Sequence, residues 1–303
     1  MRGASTKRDI LHAMSDEFHL DPARVRRSFD EAAKTYDTAA VVPSEIRNRL
    51  MERLDFVKLQ PKVVLDLGAG TGHSSKALKV RYKSAEVLAI DLAPRMLAEA
   101  DRQQSWLRKF HRIAGDAHRL PIKDASTQLV FSNLMLEWCH DPDAVFQEIR
   151  RVLQPGGLLT FATLGPDTLR ELREAWRKLD ACPHVHRFID MHDLGDALMR
   201  AGLAEPVMDT ERLTVTYPHL DALLKELVAS GSSNLADGRT RGLTAKGQLE
   251  SLRQALRPAS EQSALSVTVE VVYGHAWAGE LRPRSRAGGE VRIPVSNVTR
   301  MKR

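Results

Sequence analysis

The 303 residues, 43% hydrophobic and 28% charged, have the balance of a globular protein with a sizeable core, and length leaves one large domain or two open. No apolar run approaches the ~20 residues needed to cross a bilayer, and MRGASTKRDILHAMSDEF lacks the apolar stretch and cleavage site of a secretory signal, so the expected location is cytoplasmic. A net charge of +6 and a pI near 9.4 suit an acidic partner or reflect basic termini, and two cysteines, Cys139 and Cys182, give no disulfide framework.

In chain order, DPARVRRSFDEAAKTYDTAA and SEIRNRLMERLDFV read as helices, with Pro43 between them, Ser44 as N-cap, and Ile46, Leu50, Leu54 and Val57 on one face. VVLDL is a short strand that opens through glycines onto the helix HSSKALKVRY. AEVLAID is a second strand, and PRMLAEADRQQSWLRKF reads as one helix over 94–110. Strands at HRIAGDA and STQLVFSNLML follow, then the helix PDAVFQEIRRVL, the turn Pro155-Gly156-Gly157 and the strand GLLTFAT. Strands alternating with helices of this length argue for βαβ units and a parallel sheet. From Gly165 the rhythm changes: PDTLRELREAWRKLD, DMHDLGDALMRAGL, LDALLKELVASG and AKGQLESLRQAL are helical, while ERLTVTY and SVTVEVVYGHAWA alternate as strands.

The stretch LDLGAGTG places Gly68, Gly70 and Gly72 where a strand hands over to a helix. Glycine costs backbone entropy, so the cluster signals a close approach to bare backbone at a helix start. The leading acid Asp66 suits a ligand with a cationic or amino-acid end. Asp91 ends the second strand, where α/β sheets place a carboxylate on the hydroxyls of a ribose, and it could equally cap the following helix. In GDAHRLP, Asp116 can accept from an adenine amino group while Ala117 offers its N–H. Together these residues outline an adenosine site.

LDLGAGTG, AIDLAPRMLAEA and GDAHRLPIKDASTQLVFSNLMLEW, in that order, resemble the S-adenosylmethionine-dependent class I methyltransferases. The resemblance implies an α/β, Rossmann-like fold: a seven-stranded, mostly parallel sheet with helices on both faces and helical lid insertions. It implies S-adenosyl-L-methionine as cofactor, with Gly68, Ala69, Gly70 and Gly72 at its amino-acid end. Asp91 and Leu92 would meet the ribose, Asp116 and Ala117 the adenine, and Asn133 and Leu134 the region of the methyl group. The expected organisation is an N-terminal helical segment over 1–58 covering the cofactor and an α/β core over 59–165. Substrate-side insertions over 166–265 with a strand near 207–217, a closing strand over 266–279 and a basic tail over 280–303 follow.

GPDTLRELREAW, HRFIDMHDLGDALMRAGLAEPVMDTERLTVTY, LKELVASGSSN and VEVVYGHAWAG resemble one subfamily, the malonyl-acyl-carrier-protein O-methyltransferases of biotin synthesis. VRRSFDEAAKTYD also fits, with Phe29 and Tyr36 on a helix over the cofactor. The implied reaction is transfer of a methyl group from a sulfonium to the free carboxylate of a malonyl thioester, borne on acyl carrier protein or coenzyme A. A carboxylate is ionised near neutral pH, so no general base is required. Arginine suits the task of holding that carboxylate, because its fork matches one bidentately. Arg173 is the first candidate and Arg170 the second, with Tyr36 and His192 as further candidates at the substrate. Arg170, Arg173 and Arg177 also form a stripe at helical spacing, which is usually solvated.

CPHVHRFIDMH gathers Cys182, His184, His186 and His192 but lacks zinc-ligand spacing, so no metal is expected. Trp106, Trp138, Trp176 and Trp277 read as packing residues. Two alternatives remain: a related enzyme of this fold modifying a protein side chain such as arginine, and a non-catalytic adenosyl-ligand or nucleic-acid-associated protein. SNLMLEW lacks the Pro-Pro-aromatic signature of base-nitrogen methyltransferases, which argues against nucleic acid.

Overall fold

The computed structural model describes residues 20–106, 108–236, 245–257 and 264–279. The basic tail expected over 280–303, and the first part of the N-terminal segment, lie outside these described residues.

Asp21 caps the first helix, α1 (Pro22–Ala32), its carboxylate accepting from the Ala23 N–H at 2.9 Å, with Pro22 at the first helical position. A short α2 (Tyr36–Ala39) and then α3 (Val41–Arg53) follow. Pro43 does not separate two helices and Ser44 is not a cap. Pro43 sits in the first turn of α3, where its missing N–H has no intrahelical acceptor to lose, and the Ser44 N–H donates to the Ala40 carbonyl at 3.0 Å. Ile46 and Leu50 of α3, and Leu54 just beyond it, are fully buried as their spacing predicts.

The core then alternates: β1 (Val63–Leu67), α4 (His73–Arg81), β2 (Glu86–Asp91), α5 (Pro94–Ala100), β3 (His111–Ala114), β4 (Thr127–Asn133), α6 (Pro142–Val152) and β5 (Leu153–Leu164). The pattern over 94–110 does not continue as one helix. A 3-10 turn, Asp101–Gln103, follows α5, and the Phe110 N–H donates to the Gln104 side chain at 3.2 Å, doubling the chain back toward β3. Ala100, fully buried against Gly72, fixes where that helix stops facing the core. The turn at Pro155 to Gly157 lies inside β5, as an irregularity in its register with β4.

The later elements are α7 (Arg170–Arg177), α8 (Met191–Arg200), β6 (Leu203–Tyr217), α9 (Leu220–Ala229), α10 (Lys246–Ala255) and β7 (Leu265–Ala278). The sheet order is β3-β2-β1-β4-β5-β7-β6, with β1 to β5 parallel and β7 antiparallel to both β5 and β6. Period-2 burial sends Leu65 and Leu67 to one face, with Phe146 and Ile149 of α6 and Leu194 and Leu198 of α8. Val64 faces the other side, with Ile46, Leu50 and Leu78. Both faces are therefore covered, as a parallel sheet requires. The far ends of β6 and β7 run past the core and carry α7, α9 and α10 around Tyr217 and Val267.

Strand β1 lies between β2 and β4, so the chain order reverses there and a crevice opens at the strands' carboxyl ends. Leu67, Asp91 and Asn133 end those three strands on that rim.

Candidate active site

The crevice holds a cleft of two chambers sharing Tyr36, Gly68, Gly70 and Asn133. The larger, about 760 Å³, is roofed by Val25 and Phe29 of α1. The smaller, about 670 Å³, lies against the N-terminus of α4 and includes Arg47.

Three residues of the glycine turn have positive φ: Gly68 at 77°, Gly70 at 53° and Gly72 at 83°. Their reasons differ. The N–H groups of Gly68 and Ala69 both donate to the Ile90 carbonyl at 2.9 Å, which ties the turn to β2. A Cβ on Gly68 would lie 2.5 Å from Met135, whereas one on Gly70 would project into open space. Gly70 is thus the position where bare backbone borders the cleft. Gly72, expected at the cofactor, instead lets α4 close on α5: a Cβ there would meet Ala100 at 2.7 Å and Phe110 at 3.0 Å.

Asp91 borders the larger chamber and anchors the backbone on either side of it. Its carboxylate accepts from the Gly70 and Ala93 N–H groups, each at 2.8 Å, so it fixes the glycine turn and the start of α5. Burial raises its pKa to about 6, against the opposing pull of those N–H groups. Leu92, Ala117 and Leu134 line the same chamber. Asp116 does too; its carboxylate accepts from the His118 N–H at 2.9 Å and meets the His118 ring at 2.7 Å. Burial raises the Asp116 carboxyl, but those hydrogen bonds outweigh it and hold the group below the usual carboxylate range.

Asp66 lies beneath the turn and lines neither chamber. It is 1% exposed and accepts from the Ser75 hydroxyl, fastening α4 to β1. Its other oxygen has no hydrogen-bond partner among the described residues, and burial raises its pKa to about 7. Asn133 donates to the Pro43 carbonyl at 3.2 Å, and its buried Oδ1 is unpartnered among the described residues. Leu134 takes a φ of 54° while its N–H donates to Ala162 at 2.8 Å, so the chain turns sharply at the rim. The Tyr36 hydroxyl is raised by burial and by the nearby carboxylates of Asp91, Glu137 and Asp37, with Arg47 opposing. An open cradle at Gly70, an orphaned Asn133 oxygen and the Asp91 carboxylate make a cleft that a nucleoside with an amino-acid tail fits.

On the acceptor side, the expected candidates separate. Arg170 is exposed and paired with Asp167 and Glu171. His192 is 85% exposed in its side chain and meets Asp190 at the start of α8. Neither borders the cleft. Arg173 is half-buried; its guanidinium donates to the carbonyls of Pro166 at 2.9 Å and Thr168 at 3.0 Å, clasping the loop before α7, while its buried Nε has no hydrogen-bond partner among the described residues. The charge of Arg173 acts on a neighbour: burial and that charge lower His186 to about 4, leaving it neutral.

His186 was passed over as part of the histidine cluster. It lies with Glu137, Cys139 and Thr163 around a narrow third cavity, which meets the cofactor chamber at Cys139. Glu137 lines the same cavity. The Thr163 hydroxyl donates to it at 3.0 Å, and burial raises it to about 7. No sequence pattern marks it, because its partners come from β5 and from the loop before α8.

The other expectations divide. No group of three or more His, Cys, Asp or Glu side chains among the described residues could hold a metal. Trp138 packs edge-on to Phe29 and His186, each at 5.0 Å, and Trp176 stacks on His184 at 3.6 Å. Trp106, read as a packing residue, is 83% exposed because α5 stops short of it. No helix among the described residues is long and apolar enough to cross a membrane.

A sheet of this order with a cleft at its switch point, matching a family model described as a methyltransferase domain over residues 65–161, defines a class I S-adenosylmethionine-dependent methyltransferase. The YcgJ protein of Bacillus subtilis shares the fold with a TM-score of 0.57 at 16% identity, covering 77% of this chain and 99% of that one. The chain is 47% identical over 274 residues to the malonyl-acyl-carrier-protein O-methyltransferase of Methylovorus sp., covering 88% of this chain and 93% of the other. It is 45% identical over 291 residues to that of Halorhodospira halophila, at 95% and 99% coverage. The chain belongs to the malonyl-acyl-carrier-protein O-methyltransferase family.

Proposed function

We propose that this chain methylates the free carboxylate of a malonyl thioester carried by acyl carrier protein, giving the methyl ester that enters biotin synthesis. The observation that carries this reading is family membership over nearly the whole chain, joined to a cleft whose Gly70 backbone and Asp91 carboxylate suit an adenosyl ligand.

Asp91 and Leu92 would take the ribose, and Asp116 with Ala117 the adenine. Gly68, Ala69 and Gly70 would border the amino-acid end, with Arg47 and the N-terminus of α4 facing its carboxylate. Asn133, Leu134 and Tyr36 would surround the reacting carbon. Gly72 and Asp66 serve the same site from beneath, by seating α4. When bound, S-adenosylmethionine supplies a sulfonium-borne methyl group that a carboxylate oxygen takes as the carbon–sulfur bond breaks, its electron pair staying on sulfur. The chain has no proton to remove, since the acceptor is already ionised. Its work is alignment and exclusion of water, and alignment is worth up to ~7–11 kcal/mol of barrier. The apolar roof of Val25 and Phe29 serves that exclusion.

The deciding experiment incubates the protein with S-adenosylmethionine and malonyl-carrier protein and follows intact mass. A methyl gain on malonyl-carrier but not on acetyl-carrier is expected, and malonyl-coenzyme A run in parallel establishes which carrier is preferred. Absence of product from a protein that binds the cofactor would overturn the reading.

The carrier is acidic, and Arg177 and Lys178 are exposed at the end of α7. Reversing both to Glu is expected to raise KM for malonyl-carrier by roughly threefold or more at low salt, with kcat unchanged, because rim charges act mainly on encounter. An unchanged KM would remove that face from the docking surface.

A further inference from the structure

The cavity behind Cys139 brings together three polar side chains that the cofactor chamber does not use: Glu137, Thr163 and His186. His186 is 8% exposed, and its Nε2 has no hydrogen-bond partner among the described residues. A buried orphan of that kind costs free energy in the absence of a ligand that satisfies it. The Thr163 hydroxyl engages the Oε2 oxygen of Glu137. The charge of Glu137 also acts on the hydroxyl of Tyr36, which both chambers share.

We propose that this cavity is the acyl subsite, and that Glu137, carried as its neutral acid, and neutral His186 donate hydrogen bonds to the malonyl carboxylate. The inference rests on the malonyl-thioester reading and deepens it. An ionised Glu137 would repel the substrate carboxylate, whereas the acid form shares its proton with one carboxylate oxygen and leaves the other to react. Burial favours that acid form, raising Glu137 to about 7. Neutral donors also avoid the tight ion pair that would quench the nucleophile. Burial, and after it the cationic guanidinium of Arg173, keep the His186 imidazole neutral, while the terminal N–H groups of Arg173 serve backbone carbonyls. The titratable and charged groups facing Glu137 are Tyr36 and Cys139, with His186 and Arg187 along the cavity wall. An acetyl group, lacking the carboxylate, leaves both donors unpaired and is rejected for that reason.

Calorimetry with malonyl-carrier in the presence of S-adenosylhomocysteine tests this without turnover. Wild-type affinity is expected to fall as pH rises through about 7, where Glu137 ionises. E137Q, whose amide still donates, binds as wild type at about pH 6 and keeps that affinity to about pH 8.5, because it has no proton to lose. E137A, and independently H186F, weaken malonyl-carrier binding by about tenfold while the affinity for S-adenosylhomocysteine stays within about twofold. Equal binding by E137A and wild type would overturn the proposal, as would a pH fall that persists in E137Q. Should E137A fail to fold in a thermal melt, the E137Q profile alone decides. A wild-type protein that never methylates malonyl-carrier overturns the proposed function itself; methylation with binding untouched in the variants overturns only this assignment.

Discussion

Asp91→Ala is expected to weaken binding of S-adenosylmethionine and S-adenosylhomocysteine by about 1–3 kcal/mol, a loss of about fivefold to about 150-fold in affinity by calorimetry. Two losses combine. The proposed acceptor for the ribose hydroxyls disappears, and the Gly70 and Ala93 N–H groups lose the carboxylate they donate to at 2.8 Å. The glycine turn then no longer has its tie to the end of β2. Asp91→Asn, which retains an acceptor, costs less than the alanine variant. The same carboxyl gives wild-type binding a pH dependence. Burial raises it to about 6, so the ionised form that accepts best is lost as pH falls through that value, and cofactor affinity declines below it. A flat wild-type profile from about pH 5 to about pH 8 would detach Asp91 from the nucleoside.

Gly68→Ala acts more severely on the fold. The residue has a φ of 77°, a left-handed conformation costing a side-chain-bearing residue about 1–2 kcal/mol. Its Cβ would also stand 2.5 Å from both Cβ and Cγ of Met135, and crowding of that kind adds about 1–3 kcal/mol. Met135 cannot retreat freely, because the neighbouring Leu134 turns sharply with its N–H bonded to Ala162. A fall in Tm together with loss of cofactor binding is expected. Gly70→Ala is the matched control: it meets only the left-handed penalty and open space, so its Tm falls less, while the added methyl group intrudes where the ligand approaches. Equal Tm losses in the two variants would refute the contact argument.

The residues of the expected cofactor outline converge on one rim because each lies within a few positions of a strand end. Gly68 and Gly70, Asp91, Asp116 and Asn133 each follow or end a strand, and a parallel sheet brings all such ends to one rim. Gly72 and Asp66 belonged to the same motif, yet they face the interior. Spacing cannot separate a glycine open to a ligand from one packed on Ala100. Arg173 was legible as a conspicuous cation and illegible as a loop clamp, since helical periodicity is the same whether a guanidinium meets a substrate or the carbonyls of Pro166 and Thr168. Glu137 and His186 carried no local signal. They meet because the turn after β4 and the loop before α8 close on one cavity, with the intervening residues folded away through β5 and α7.

What the amino-acid sequence by itself determined was the alternation of strand and helix, the parallel core and the nucleoside side of the cleft, because each of these follows from hydrophobic period and from turn chemistry over a few neighbouring residues. Only the tertiary structure decided what surrounds the acceptor candidates: which arginine clasps a loop, which histidine is buried beside it, and which carboxyl is drawn out of water. Those properties depend on burial and on partners brought from distant segments, and neither is a function of local sequence.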